Sequence, residues 1–142
     1  MPSSAPAVLM FADTLRSADL RHVIPHGVHD PFLYLERGDE RVTVLRSLEV
    51  ARMSEVPGMQ ALPLEELGFD ALVAEGRTPE EATLEMALAA CRRFGVERAT
   101  VPPDFPVAHA DHLRAGGVEL VVDGPFFAAR RRAKTPAQLA GI

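Results

Sequence analysis

Tryptophan is absent and tyrosine occurs once, so aromatic residues make up only 6% of the 142-residue chain. Small and aliphatic side chains must therefore fill most of the core. Cys91 is the only cysteine, which excludes an intramolecular disulfide and any paired-cysteine zinc motif. A single cysteine also fits a reducing compartment. Lysine is nearly missing as well, because Lys134 stands alone among the 15 basic residues. Basic surplus is lacking altogether, with a net charge of −5, which argues against nucleic acid as a partner. No apolar run approaches the ~20 residues of a membrane span. Residues 1–12 have neither the charged n-region nor the long apolar stretch of a secretory signal. These absences predict a cytoplasmic protein without a membrane partner. Glycine-rich phosphate loops, Ser-His-Asp constellations, internal repeats and low-complexity segments are not found either.

What is present is the balance of a soluble globular domain, 47% hydrophobic and 25% charged. The length suits one domain. A chain of this size buries roughly two-thirds of its unfolded surface and needs neither metal nor disulfide to hold a core. Val8 to Ala12 is a short apolar run of the buried-strand type. Asp13 to Val23 suggests a short helix, broken at Pro25. Pro31 to Glu36 and Arg41 to Leu45 are β-rich runs joined by the turn Arg37-Gly38-Asp39-Glu40, a predicted hairpin. Ser47 is placed to cap a helix through about Ser54, stopped by Pro57-Gly58. A strand at Met59 to Leu62 and a helix over Leu64 to Ala74 follow.

The clearest signal is Thr78-Pro79-Glu80-Glu81. It is a capping box with proline at the first helical position: the threonine hydroxyl accepts from a free N–H while Glu81 reaches back to the cap. Leu84, Ala87, Leu88, Cys91 and Phe94 then share one helical face, with Glu80, Glu81, Glu85, Arg92 and Arg93 largely opposite. Gly95 is placed to end this helix. Strands at Val96–Val101 and Val118–Val122 alternate with helices at Asp104–Ala115 and Phe126–Ala133. This order predicts an α/β fold with one mixed sheet flanked by helices. A second capping box stands at Thr135-Pro136-Ala137-Gln138. It announces a helix, yet only Gln138 to Ile142 remain, far short of the ~12 residues at which an isolated helix becomes marginal. The expectation is that more chain follows Ile142.

Residues 97–142 resemble the end of the amino-terminal domain of creatinase/prolidase/aminopeptidase P-type metallopeptidases. The resemblance is carried by Gly95-Val96-Glu97-Arg98-Ala99, by Val101-Pro102-Pro103-Asp104-Phe105-Pro106, and by Ala128-Ala129-Arg130-Arg131-Arg132-Ala133-Lys134-Thr135-Pro136. The last stretch is similar to the family's R-x-x-K-[ST]-P-x-E-[IL] junction, with Gln138 where glutamate is usual. The hairpin from Asp30 and the Leu64–Gly76 segment fit the same domain. The resemblance implies a ribonuclease-H-like sheet over residues 1–134, with 135–142 starting a linker helix to a carboxyl-terminal catalytic domain. It implies that this chain holds no catalytic residue, no metal and no cofactor. Two divalent ions (Mn, Co or Zn) would belong to the catalytic domain, as would hydrolysis of Xaa-Pro bonds or a related amide. The implied partners are that domain and a second copy of the parent, as a homodimer.

Several clusters compete as sites. His22, His26, His29 and Asp30 have metal-like composition, but Pro25 breaks the helix that would align two of the histidines. A solvated loop is the bland alternative, and an interface or substrate-mouth contact is the functional one that the resemblance implies. Arg130, Arg131, Arg132 and Lys134 form a basic helix end, satisfied by the helix dipole or by acidic groups of another domain. Asp13, Asp104 and Asp123 follow predicted strands and raise a metal-dependent nuclease, against ordinary turn and cap roles. Cys91 lies on an apolar helical face and reads as a buried small hydrophobe. The leading expectation is a non-catalytic domain of a dinuclear-metal Xaa-Pro peptidase that helps dimer assembly and shapes access to the pocket. The alternative is a free-standing domain that binds a small molecule or protein.

Overall fold

The structure, a computed structural model, describes residues 7–25 and 27–133. β1 (Ala7–Ala12), β2 (Phe32–Arg37) and β3 (Glu40–Leu45) form an antiparallel meander. β4 (Gln60–Pro63) pairs in parallel with β3, while β5 (Arg98–Val101) and β6 (Glu119–Val122) extend in parallel from β1. The sheet order is β4-β3-β2-β1-β5-β6, and β2 alone runs against the other strands. Among the described residues, six α-helices cover it: α1 (Ala18–Val23), α2 (Ser47–Met53), α3 (Phe69–Ala74), α4 (Pro79–Arg93), α5 (Val107–Ala115) and α6 (Gly124–Arg132). The single mixed sheet flanked by helices is the architecture expected from the sequence.

Strand alternation sorts the core into two layers. Side chains two apart on a strand share a face. Leu9, Leu35, Val42 and Val44 therefore meet Leu88 and Cys91 of α4 and Leu113 of α5. Val8, Met10 and Tyr34 point the other way, against Leu20 of α1, Met53 of α2 and Phe127 of α6. Both faces are covered, which is why β1 reads as a continuous apolar run rather than an alternating one.

The helix starts follow local chemistry. The Thr78 capping box is formed: Glu81 N donates to Thr78 Oγ1 at 3.1 Å, and Thr78 N donates to Glu81 Oε1 at 3.2 Å. Ser17 caps α1 by accepting from Leu20 N at 3.1 Å, so that helix begins later than Asp13. Asp123 caps α6 by accepting from Phe126 N at 3.0 Å, which starts it two residues before Phe126.

Two expectations are corrected. Ser47 is not a cap but the first residue of α2. Its N–H and hydroxyl both donate to Glu65, at 3.2 and 3.0 Å, so a carboxylate distant in sequence does the capping. The predicted helix over Leu64–Ala74 is two pieces, a 3₁₀ turn (Leu64–Leu67) and α3. Gly68 separates them with φ of +97°, a left-handed conformation that only glycine takes cheaply.

Candidate functional site

Strand direction sets the geometry of the most exposed apolar surface. All strands but β2 end at one rim of the sheet. Leu15 follows β1, Leu48 is the second residue of α2 just beyond β3, Val107 opens α5 beyond β5, and Val122 ends β6. Leu48 is 86% exposed and Val107 73%, with Val122 and Leu15 above half. Apolar side chains of this kind mark a contact surface where they join into one contiguous patch. In open sheets of this kind, ligands also collect beyond the carboxyl ends of the strands.

A cavity of about 290 Å³ opens at that rim, beneath α3 and α4. Phe11, Phe32, Leu64, Phe69 and Met86 line it, and Asp30 and Arg46 are its charged lining residues. The Arg46 guanidinium lies 5.5 Å from the centroid of the Phe69 ring. Arg46 also acts on Glu65. Burial alone would raise the Glu65 pKa, but hydrogen bonds from Glu65 itself and from Ser47, together with the Arg46 charge, lower it instead.

The sequence-flagged residues separate into two places. His22 sits half-buried on α1. Burial first and then the Arg130 charge lower its pKa, and Asp19 opposes them. Arg130 donates to Glu36 Oε1 at 2.9 Å, and Glu36 accepts from the Tyr34 hydroxyl at 2.6 Å. Burial, then the bond to Glu36, pushes the Tyr34 pKa to about 12. Arg131 pairs with Asp19. Arg130 and Arg131 thus fasten α6 to α1 and to the sheet within this domain, while Arg132 is exposed. His26 and Lys134 lie outside the described residues, as does the second capping box at 135–138.

The loop that holds His29 and Asp30 is less free than its polar composition suggests. Val28 N donates to Thr14 Oγ1 at 2.7 Å, Thr14 N donates to Val28 O at 3.2 Å, and Val28 is buried. His29 and Asp30 stay exposed, and Asp30 faces the cavity. Among the described residues, no three His, Cys, Asp or Glu side chains come together as a metal site. Asp13 is buried and accepts from Arg16 N at 2.8 Å, Asp123 is a cap, and Asp104 is exposed in a turn. Three carboxylates follow three adjacent strands, yet they do not cluster. Cys91 is fully buried, and burial pushes its thiol up to about 12. Burial of this kind disfavours the thiolate that a nucleophile needs.

His109 was missed by sequence reasoning. It is buried on α5, stacked on Phe11 with ring centroids 3.9 Å apart, and its Nε2 has no hydrogen-bond partner among the described residues. Burial, and next the neighbouring His112, lower its pKa to about 4. The available signal was spacing, because His109 lies four residues before Leu113 and so on the same buried helical face.

No protein-family model and no curated protein matches the sequence. Solved structures do match in fold. The X-Pro aminopeptidase from Thermotoga maritima superposes with a TM-score of 0.67 at 8% identity, over 97% of this chain and 36% of that one. The aminopeptidase P (Xaa-Pro aminopeptidase) structure from Streptococcus thermophilus gives 0.59 at 11% identity, over 90% of this chain and 86% of that one. The prolidase from Pyrococcus horikoshii gives 0.56 at 13% identity, over 96% and 33%. The chain therefore has the fold of one region of these proteins. It spans about a third of the length of the Thermotoga and Pyrococcus chains. The fold implied by the junction motif is the fold observed. No described helix is long and apolar enough to cross a membrane.

Proposed function

We propose that this chain is a non-catalytic domain of an Xaa-Pro peptidase system, working beside a separate catalytic domain. One observation carries the reading: nearly the whole chain superposes on only about a third of the Thermotoga aminopeptidase and the Pyrococcus prolidase. The residues described here do not fit a dinuclear metal centre, since no group of three suitable ligands converges. No chemical step is therefore assigned to them. The metal ions and the hydrolysis belong, on this reading, to the catalytic domain.

The contribution of this domain is shape and contact. Its rim presents Leu15, Leu48, Val107 and Val122 to solvent. Burying such side chains against another surface is favourable by about 25 cal/mol per Å² of apolar area. That supports docking of the rim on the catalytic domain or on a second subunit, where it limits access to the catalytic pocket. The inward pairing of Arg130 with Glu36 and of Arg131 with Asp19 gives α6 a fixed direction as it leaves the sheet.

The test is a peptidase assay. The purified 142-residue chain, supplied with Mn²⁺, Co²⁺ or Zn²⁺, is expected not to hydrolyse Xaa-Pro dipeptides. Metal-dependent turnover by the chain alone would overturn the assignment. A second reading, a small-molecule binding domain, is favoured by the cavity at the rim.

A further inference from the structure

The rim cavity combines an apolar interior with two opposite charges that do not use each other. Among the described residues, neither Asp30 nor Arg46 forms a salt bridge, although both line the same opening. Arg46 is held over the Phe69 ring, which fixes its position without neutralising it. Glu65, whose pKa the Arg46 charge helps to lower, is hydrogen-bonded to Ser47, and Glu49 beside the adjoining cavity pairs with Arg52. A smaller cavity of about 70 Å³ adjoins the first and shares Asp30, Phe32, Arg46 and Leu64 with it. The two charges thus stand where the cavities meet.

Small-molecule sites are concave and mostly apolar, with a few convergent polar groups that orient the ligand. The main cavity, at about 290 Å³, lies at the low end of the usual range of roughly 300–1,000 Å³. That size suits a ligand no larger than a single amino acid or so. A ligand bearing only one charge would leave either Asp30 or Arg46 unanswered. We propose that the cavity binds a free α-amino acid with an apolar side chain. The side chain enters between Phe11, Phe69 and Met86, the carboxylate meets the Arg46 guanidinium, and the ammonium group meets Asp30. Arginine suits the carboxylate because its planar fork donates two parallel hydrogen bonds. The site lies wholly within this chain and is independent of any peptidase activity.

The experiment is a titration of the isotope-labelled 142-residue chain with L-leucine and L-phenylalanine, followed by backbone amide NMR signals. Signals of Phe32, Arg46, Leu64 and Phe69 are expected to shift and saturate in the millimolar range or below. Leucinamide, which lacks the carboxylate, and N-acetylleucine, which lacks the ammonium group, are each expected to bind at least about tenfold more weakly. Arg46→Gln should remove the preference for leucine over leucinamide. Asp30→Asn should remove the preference for leucine over N-acetylleucine. Both positions are exposed, so the variants should keep the parent's thermal unfolding curve. The proposal is overturned if neither amino acid shifts these signals, or if the amide and acetyl analogues bind as well as leucine. It is overturned equally if folded Arg46→Gln and Asp30→Asn bind with unchanged preference. None of these results bears on whether the chain works beside a peptidase domain.

Discussion

Replacing His109 with phenylalanine should change the pH dependence of stability more than the stability itself. The imidazole is stacked on Phe11 at 3.9 Å, meets Phe105 edge-on, and leaves Nε2 without a partner. A phenyl ring keeps the stacking and removes an unsatisfied buried nitrogen. At pH 7.5 the two proteins should therefore agree within about 1 kcal/mol. The difference comes on acidification. Burial, then His112, lowers the His109 pKa from 6.5 to about 4 in the folded chain. Between those values the unfolded state binds the proton and the folded state does not. Folding stability must then fall as pH drops through this window. Full linkage from pH 7 to pH 5 gives a loss of about 2 kcal/mol, and allowing for partial solvent screening leaves about 1–2 kcal/mol. Urea unfolding at both pH values measures it. The wild type should lose about 1–2 kcal/mol more than His109→Phe over that interval, with all other titrating groups cancelling in the comparison. Equal losses would refute the reasoning, and so would an NMR titration that shows His109 protonating near pH 6.5 in the folded protein.

Other perturbations probe packing, capping and contact. Gly116 has an ordinary φ, but a Cβ there would stand 2.6 Å from a methyl carbon of buried Leu88, so Gly116→Ala should cost about 1–3 kcal/mol by denaturant unfolding. Thr78→Ala breaks the capping box and should cost about 1 kcal/mol, whereas Thr78→Ser should cost far less. A double-mutant cycle on Glu36→Gln and Arg130→Met should return a coupling of roughly 1 kcal/mol, because the pair is mostly shielded and hydrogen-bonded. Leu48→Glu and Val107→Glu, at highly exposed positions, should shift unfolding by no more than about 0.5 kcal/mol. The same variants should weaken association with a catalytic domain or second subunit, as measured by sedimentation of the parent assembly.

The sheet and most helices were legible because their signals are local. β1 to β3 announce themselves by apolar runs around a Gly-Asp turn. α4 announces itself by a cap formed within four residues, with both predicted bonds present. Ser47 misled for the opposite reason: its partner, Glu65, lies 18 residues away, and no local pattern reveals such a bond. The helix break at Gly68 was open to recognition, since a glycine inside a helical pattern permits a positive φ. The site was less legible than the fold. Histidine composition drew attention to His22, His26 and His29, but chemistry depends on what tertiary folding brings together. It paired Arg130 with Glu36 across 94 positions and placed Asp30 and Arg46, from different loops, on one cavity. The cavity itself is a property of side chains from β1, β2, β3, α3 and α4 together, which no single segment encodes.

Whether labour is divided between this domain and a catalytic one is settled by a single measurement on the native protein. The polypeptide carrying this sequence is to be isolated from its own cells, weighed by mass spectrometry, and assayed on Xaa-Pro dipeptides with Mn²⁺ present. This sequence is expected to be found in, or tightly bound to, a metal-dependent Xaa-Pro peptidase, and the domain cut away is expected to be inactive alone. A native protein of 15.4 kDa that is isolated without any peptidase partner would contradict it, and so would one that hydrolyses those substrates by itself.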